Sequence, residues 1–179
     1  MDDKVVEETR NWISKVVVGC NFCPFAAREL KRGSIRYSIL RTEDLKTILE
    51  KLADELAKLD INPEIETTLI ILPESFESFE LYLDMIGLCE DLVSELDYEG
   101  IYQIASFHPE YVFAGASADD PSNYTNRSVY PMIHILREAS ITKVLENIAH
   151  PEDIPRNNVR YTKEKGLAYM QVLKNSCYL

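Results

Sequence analysis

The sequence predicts an α/β fold, a three-layer sandwich with a small, mainly parallel sheet of three or four strands flanked by helices. Three observations predict it. Short β-rich runs at residues 34–40, 67–73 and 100–107 alternate with longer amphipathic stretches. The stretches between them are long enough for helical crossovers, which join parallel strands. The middle run, TTLIILP, is apolar and ends at Pro73, as expected of a central strand covered on both faces.

Each element follows in order. VVEETRNWISKVVV places Val6, Ile13 and Val17, with Val5, Trp12 and Val16, along one helical side, and Gly19 takes the C′ position. Pro24 opens a short helix, PFAAREL, with Cys23 as its N-cap. SIRYSIL alternates and reads as a strand. Thr42 caps a helix with the stripe Leu45, Leu49, Leu52, Leu56 and Leu59. Ser75 caps another, with the stripe Phe79, Tyr82, Ile86, Cys89, Val93 and Leu96. Gly100 opens the strand GIYQIASF, and EYVFAG is a candidate short antiparallel strand. From Pro131, PMIHILREASITKVLENI reads as one or two helices, and a last helix begins near Pro155. No repeat, low-complexity tract or linker interrupts the chain, so a single domain over residues 1–179 is expected.

Charge and composition exclude several classes. A net charge of −11 disfavours a general nucleic-acid binder, which needs clustered Lys and Arg. No apolar run approaches the ~20 residues of a membrane span. The opening MDDKVVEETRNW lacks the basic start and apolar segment of a secretory signal, so a cytoplasmic location is expected. The overlapping sequons at Asn123 and Asn126 are then coincidental, and the four cysteines mostly reduced. Between Lys58 and Arg127 there is no Lys or Arg, against fifteen Asp and Glu. Arg127 ends that interval inside the loop GASADDPSNYTNRSVYP.

The chemistry-bearing residues are expected at the carboxyl edge of the sheet, where open parallel sheets bind ligands. His108 follows the third strand. The long loop supplies Arg127, Asn123, Asn126 and Tyr124 beside the helix start at Pro131, together a pocket for a small anionic ligand. The same Asn and Ser residues also suit plain turns and caps. If 131–148 is helical, His134 shares a face with Arg137 and Glu138. Cys23 at a helix start is a candidate reactive thiol. Antiparallel packing of its helix on the first strand would carry it toward His108. A thioredoxin-type dithiol is disfavoured because Cys20-x-x-Cys23 follows a helix, and Cys20 and Cys89 read as core.

CPFA, ASFHPEYVFAG, NYTNRSVYPMIHILREASI and IPRNN together resemble a bacterial family catalogued as domain of unknown function number 1415. The resemblance covers nearly the whole chain. It includes Cys23-Pro24-Phe25-Ala26, Phe107-His108-Pro109, Asn123 to Arg127, Pro131, His134, Arg137, Glu138 and Asn157. Cys20 departs from an apolar family position, which weakens dithiol and four-ligand readings, and Val129 replaces a proline. The family implies no activity and names no cofactor.

Three functions stay open. The first is a small-molecule enzyme with Cys23 as nucleophile and His108 or His134 as base, Asn123, Tyr124, Asn126, Arg127 and Arg137 binding the substrate. The second is a metal-dependent protein using His108, His134 and a Cys, Asp119, Asp120 or Glu138. The third is a non-catalytic module that binds a partner through the acidic face of the 75–97 helix.

Overall fold

The computed structural model describes residues 1–179. Helix α1 (Asp2–Trp12) runs into a π-helical turn (Ile13–Val18), followed by α2 (Ala26–Arg32) and β1 (Ile35–Ile39). Then come α3 (Leu45–Ile61), β2 (Thr67–Ile71), α4 (Phe79–Glu95) and β3 (Tyr102–Phe107). A 3-10 turn (Pro121–Thr125) leads to β4 (Met132–Arg137), α5 (Glu138–Leu145), a 3-10 turn (Pro151–Asp153), α6 (Ile154–Lys165) and α7 (Leu167–Asn175).

The strands form one four-stranded sheet in the order β1-β2-β4-β3. Only β1 and β2 pair in parallel; β4 is antiparallel to both β2 and β3. The sheet is therefore mixed and mostly antiparallel, which corrects the mainly parallel expectation. The cause is β4, which the sequence places in a helix. Met132–Arg137 is extended and buried on both faces, so its apolar run carries no period that separates strand from helix. Helix α5 begins directly at Glu138.

β1 and β2 lie where expected, and every residue of β2 is buried between two helical layers. One core joins Ile48, Leu52, Leu56 and Leu59 of α3 and Tyr82, Met85, Ile86 and Cys89 of α4 to Ile70, Ile133 and Ile135. The other packs Trp12, Ile13, Val16 and Val17 with Met170, Cys177 and Tyr124 against Leu69, Ile71 and Met132. Alternate residues of each strand thus feed opposite cores.

Several ends differ from the sequence reading. The cap of α3 is Asp44, whose carboxylate accepts the Thr47 N–H at 2.9 Å; Thr42 bonds the Asp44 N–H instead. Ser78 caps α4 in place of Ser75, because Glu74 and Phe76 take positive φ and the chain turns once more before the helix. Gly19 keeps a right-handed backbone, and Asn21, at φ 56°, makes the reversal. EYVFAG forms turns rather than a strand, and Gly166 divides the last helix into α6 and α7.

Candidate functional site

A cavity of about 800 Å³ lies over the sheet face opposite α3 and α4, bounded by 28 residues of which 18 are hydrophobic. Its floor is made of side chains that share one sheet face: Thr67 and Leu69 from β2, Gln103, Ala105 and Phe107 from β3, and His134 and Leu136 from β4. Trp12, Ile13 and Val17 form one wall at the π-helical turn, a distortion that often marks functional positions. Segment Phe22–Ala26 and the apolar side chains of α5 and α6 supply the rest. The space therefore sits over the sheet, not beyond the strands' carboxyl ends.

Of the expected site residues, Cys23, Asn126 and His134 line this cavity. Cys23 is half-buried three residues before α2, whose N-cap is Phe25 and not Cys23 as expected, while Cys20, Cys89 and Cys177 are buried. Burial pushes the Cys23 thiol above its ordinary pKa, against the opposing pull of the Phe25 and Ala26 N–H groups. The helix start does not make it a thiolate at neutral pH.

His134 sits on a strand, so it shares a face with Met132 and Leu136 rather than with Arg137 and Glu138. Its Nε2 lies 2.7 Å from the Thr67 hydroxyl, which donates to the Ile135 carbonyl at 2.6 Å. Nε2 is therefore the protonated nitrogen, and Nδ1 carries a lone pair with no partner in the protein. Burial lowers the imidazole to about 4. The ring stays neutral through the physiological range.

His108 faces the other way. Its ring packs against Phe79 and Tyr82 of α4, on the α3–α4 side of the sheet. Nδ1 accepts the Glu110 N–H at 3.0 Å and Nε2 donates to the Phe76 carbonyl at 2.8 Å, so both nitrogens are occupied. Desolvation lowers its pKa as well. The structure does not bring His108 to Cys23; the sheet separates them.

The expected anion-binding residues hold the loop instead. The Arg127 Nε–H and Nη2–H donate to the Tyr111 and Ala118 carbonyls at 3.0 and 2.9 Å, and the guanidinium lies over the Tyr124 ring. The Asn123 amide accepts the Phe113 N–H and donates to the Ser117 carbonyl. The Asn126 amide donates to the Ser106 carbonyl, fastening the loop to β3. Tyr124 is core. Arg137 caps the end of α3 on the Leu59 and Ile65 carbonyls and touches the Tyr102 hydroxyl, on the face away from the cavity.

No three His, Cys, Asp or Glu side chains cluster as a metal site would require. Sequence reasoning missed Glu29, Thr67 and Asn158 on the cavity wall. Glu29 is paired with Arg28 and Ser34, and Asn158 donates to the Phe22 carbonyl. Only the strand placement of β4 would have pointed to Thr67.

Fold and site together define an α/β protein that keeps a large apolar cavity between a mixed sheet and one helical layer. The chain belongs to the family described as "Protein of unknown function (DUF1415)", whose model matches residues 4–172. None of the curated proteins and none of the solved structures compared matches it. No helix is long and apolar enough to cross a membrane.

Proposed function

We propose that the protein is a small-molecule enzyme that binds its substrate in the cavity over the sheet and uses Cys23 as its nucleophile. What supports the reading is the shared wall: the side chains of Cys23 and His134 both border one largely apolar cavity. A thiol needs a proton acceptor to react at neutral pH, and His134 is the one imidazole among the lining residues. His108 serves as a clamp on the Phe76 carbonyl, outside the reaction.

The raised Cys23 pKa favours one competing reading, a carrier or sensor that binds the same molecule without transforming it. Iodoacetamide labelling separates site from bystander. Cys23 is expected to label first, faster with rising pH, and to slow when Ala105→Trp fills the cavity floor in a variant with unchanged circular dichroism. Equal labelling of Cys20 or Cys177, or indifference to the plug, would overturn the site. Turnover lost in Cys23→Ser but binding kept would favour the enzyme over the carrier.

A further inference from the structure

The sheet ends in two edge strands, β1 and β3, and they are not equally protected. Alternate residues of an edge strand turn their backbone groups away from the neighbouring strand. In β3 the odd residues face β4, since the Ile101 carbonyl accepts the Glu138 N–H, so Tyr102, Ile104 and Ser106 face outward. The Tyr102 N–H is taken by the Tyr98 carbonyl, and the Ser106 carbonyl by the Asn126 amide at 3.2 Å. Both ends of that edge are closed.

The edge of β1 is open. The Ser34 carbonyl and the Leu40 N–H bond across to Glu66 and Ile71, so the outward residues are Ile35, Tyr37 and Ile39. No loop backbone meets their N–H or C=O groups. Neither a proline nor a bulge, two usual guards of an exposed edge, interrupts Ile35–Ile39. Its two faces also differ. Ile35, Tyr37 and Ile39 pack toward the core of Trp12 and Val16, whereas Arg36 and Ser38 both bond Glu55 on the other face. Along the start of the strand runs a groove of about 370 Å³ whose apolar lining is Val6, Ile35, Tyr37 and Ile65.

The charge beside this edge is positive. Arg36, Lys51 and Lys58 surround Glu55, while Arg28 and Arg32 pair with Glu29, which also accepts the Ser34 hydroxyl. In these two clusters five cations meet two carboxylates, an excess of three positive charges.

We propose that β1 receives an extended segment of an acidic partner protein, which adds to the sheet as a fifth strand. The partner's main chain pairs with Ile35, Tyr37 and Ile39. Side chains of neighbouring strands align on the same faces, so the added strand carries apolar residues beside Ile35 and Tyr37 and Asp or Glu beside Arg36. A second copy of this chain fits worse. Two β1 edges would bring the same excess cations together, and β3, which lies in the acidic interval, has its ends closed.

Fluorescence anisotropy tests this with a labelled seven-residue peptide in which valine alternates with glutamate. It is expected to bind, and its lysine counterpart about tenfold more weakly, the worth of a few surface ion pairs. Two further copies are N-methylated, one at the valines and one at the glutamates. One of the two should lose binding, because its outer amides can no longer donate to the edge. Tyr37→Pro removes an outward N–H without touching the β2 ladder and should weaken binding at unchanged circular dichroism. No binding of the glutamate peptide, equal binding of the lysine peptide, or full binding of both methylated copies overturns the proposal. Sedimentation of the protein alone as a dimer that the peptide dissociates overturns it too, assigning the edge to a second copy. The peptide series decides even if Tyr37→Pro fails to fold.

Discussion

Trp12 and Arg127, 115 positions apart, are joined by a hydrogen bond in which the indole N–H donates to the Arg127 carbonyl at 3.0 Å. The ring is almost fully buried and meets Phe107 edge-on, so this one contact ties the first helix, the long loop and β3 together at the cavity. Trp12→Phe leaves the carbonyl unpaired and is expected to lower stability by about 1–2 kcal/mol. In a chain of this length that is a fall of roughly 2–8 °C in Tm by circular dichroism. An unchanged Tm would show the bond to be dispensable.

Trp12 is the single tryptophan and borders the cavity. Its emission should therefore shift when an apolar probe such as decanol is titrated into the protein and fills the cavity. Emission that stays constant at saturation would place the ligand elsewhere.

His134 makes stability depend on pH. Burial lowers it to about 4 from an ordinary 6.5, so between those values the unfolded chain binds the extra proton. Stability should then fall as pH drops through that window, by up to about 1.4 kcal/mol per pH unit. His108, also lowered by burial, adds to the same slope. Urea unfolding from pH 7 to 4 should show a shallower dependence in His134→Phe; an identical slope would contradict the burial argument.

Glu55 acts lower on the scale. Its side chain is fully buried, which alone would raise its pKa, but Arg36, Lys58 and Lys51 outweigh that and hold it at about 2. Its contribution is present above the ordinary carboxylate value of 4.5 and is lost as pH falls toward 2. Glu55→Gln is expected to cost about 1–3 kcal/mol at pH 7 and to flatten the acid limb. A wild-type acid limb below pH 4.5 would rule this out.

Arg137 and His108 are predicted to matter for folding alone. Arg137→Ala releases the Leu59 carbonyl of α3 and the Ile65 carbonyl just beyond it, and His108→Ala frees the carbonyl of Phe76, a residue held at φ 55°. Each should lower stability by about 1–3 kcal/mol and leave the iodoacetamide labelling rate of Cys23 within about twofold. A large change in that rate in either variant would return the residue to the site.

Much of the layer order was legible because its signals are local. TTLIILP reads as a buried strand from its composition, and the stripes of α3 and α4 from their spacing, except at their ends, where Leu45 and Leu96 are exposed. Met132–Arg137 was not, since burial on both faces removes alternation and Pro131 imitates a helix start. That one substitution of strand for helix moved His134 from the company of Arg137 to that of Thr67. Arg127 misled for another reason: an isolated cation in an acidic interval looks unclaimed, and backbone carbonyls, its partners, leave no trace in a sequence.

The position of β4 bears on how the polypeptide is made. β3 has β4 as its only sheet neighbour, and β4 also fills the space beside β2. On the ribosome, therefore, residues 67–71 and 102–107 wait with open edges until 132–137 have emerged. Stalling translation in the Asn- and Ser-rich loop would hold the nascent chain in its most aggregation-prone form.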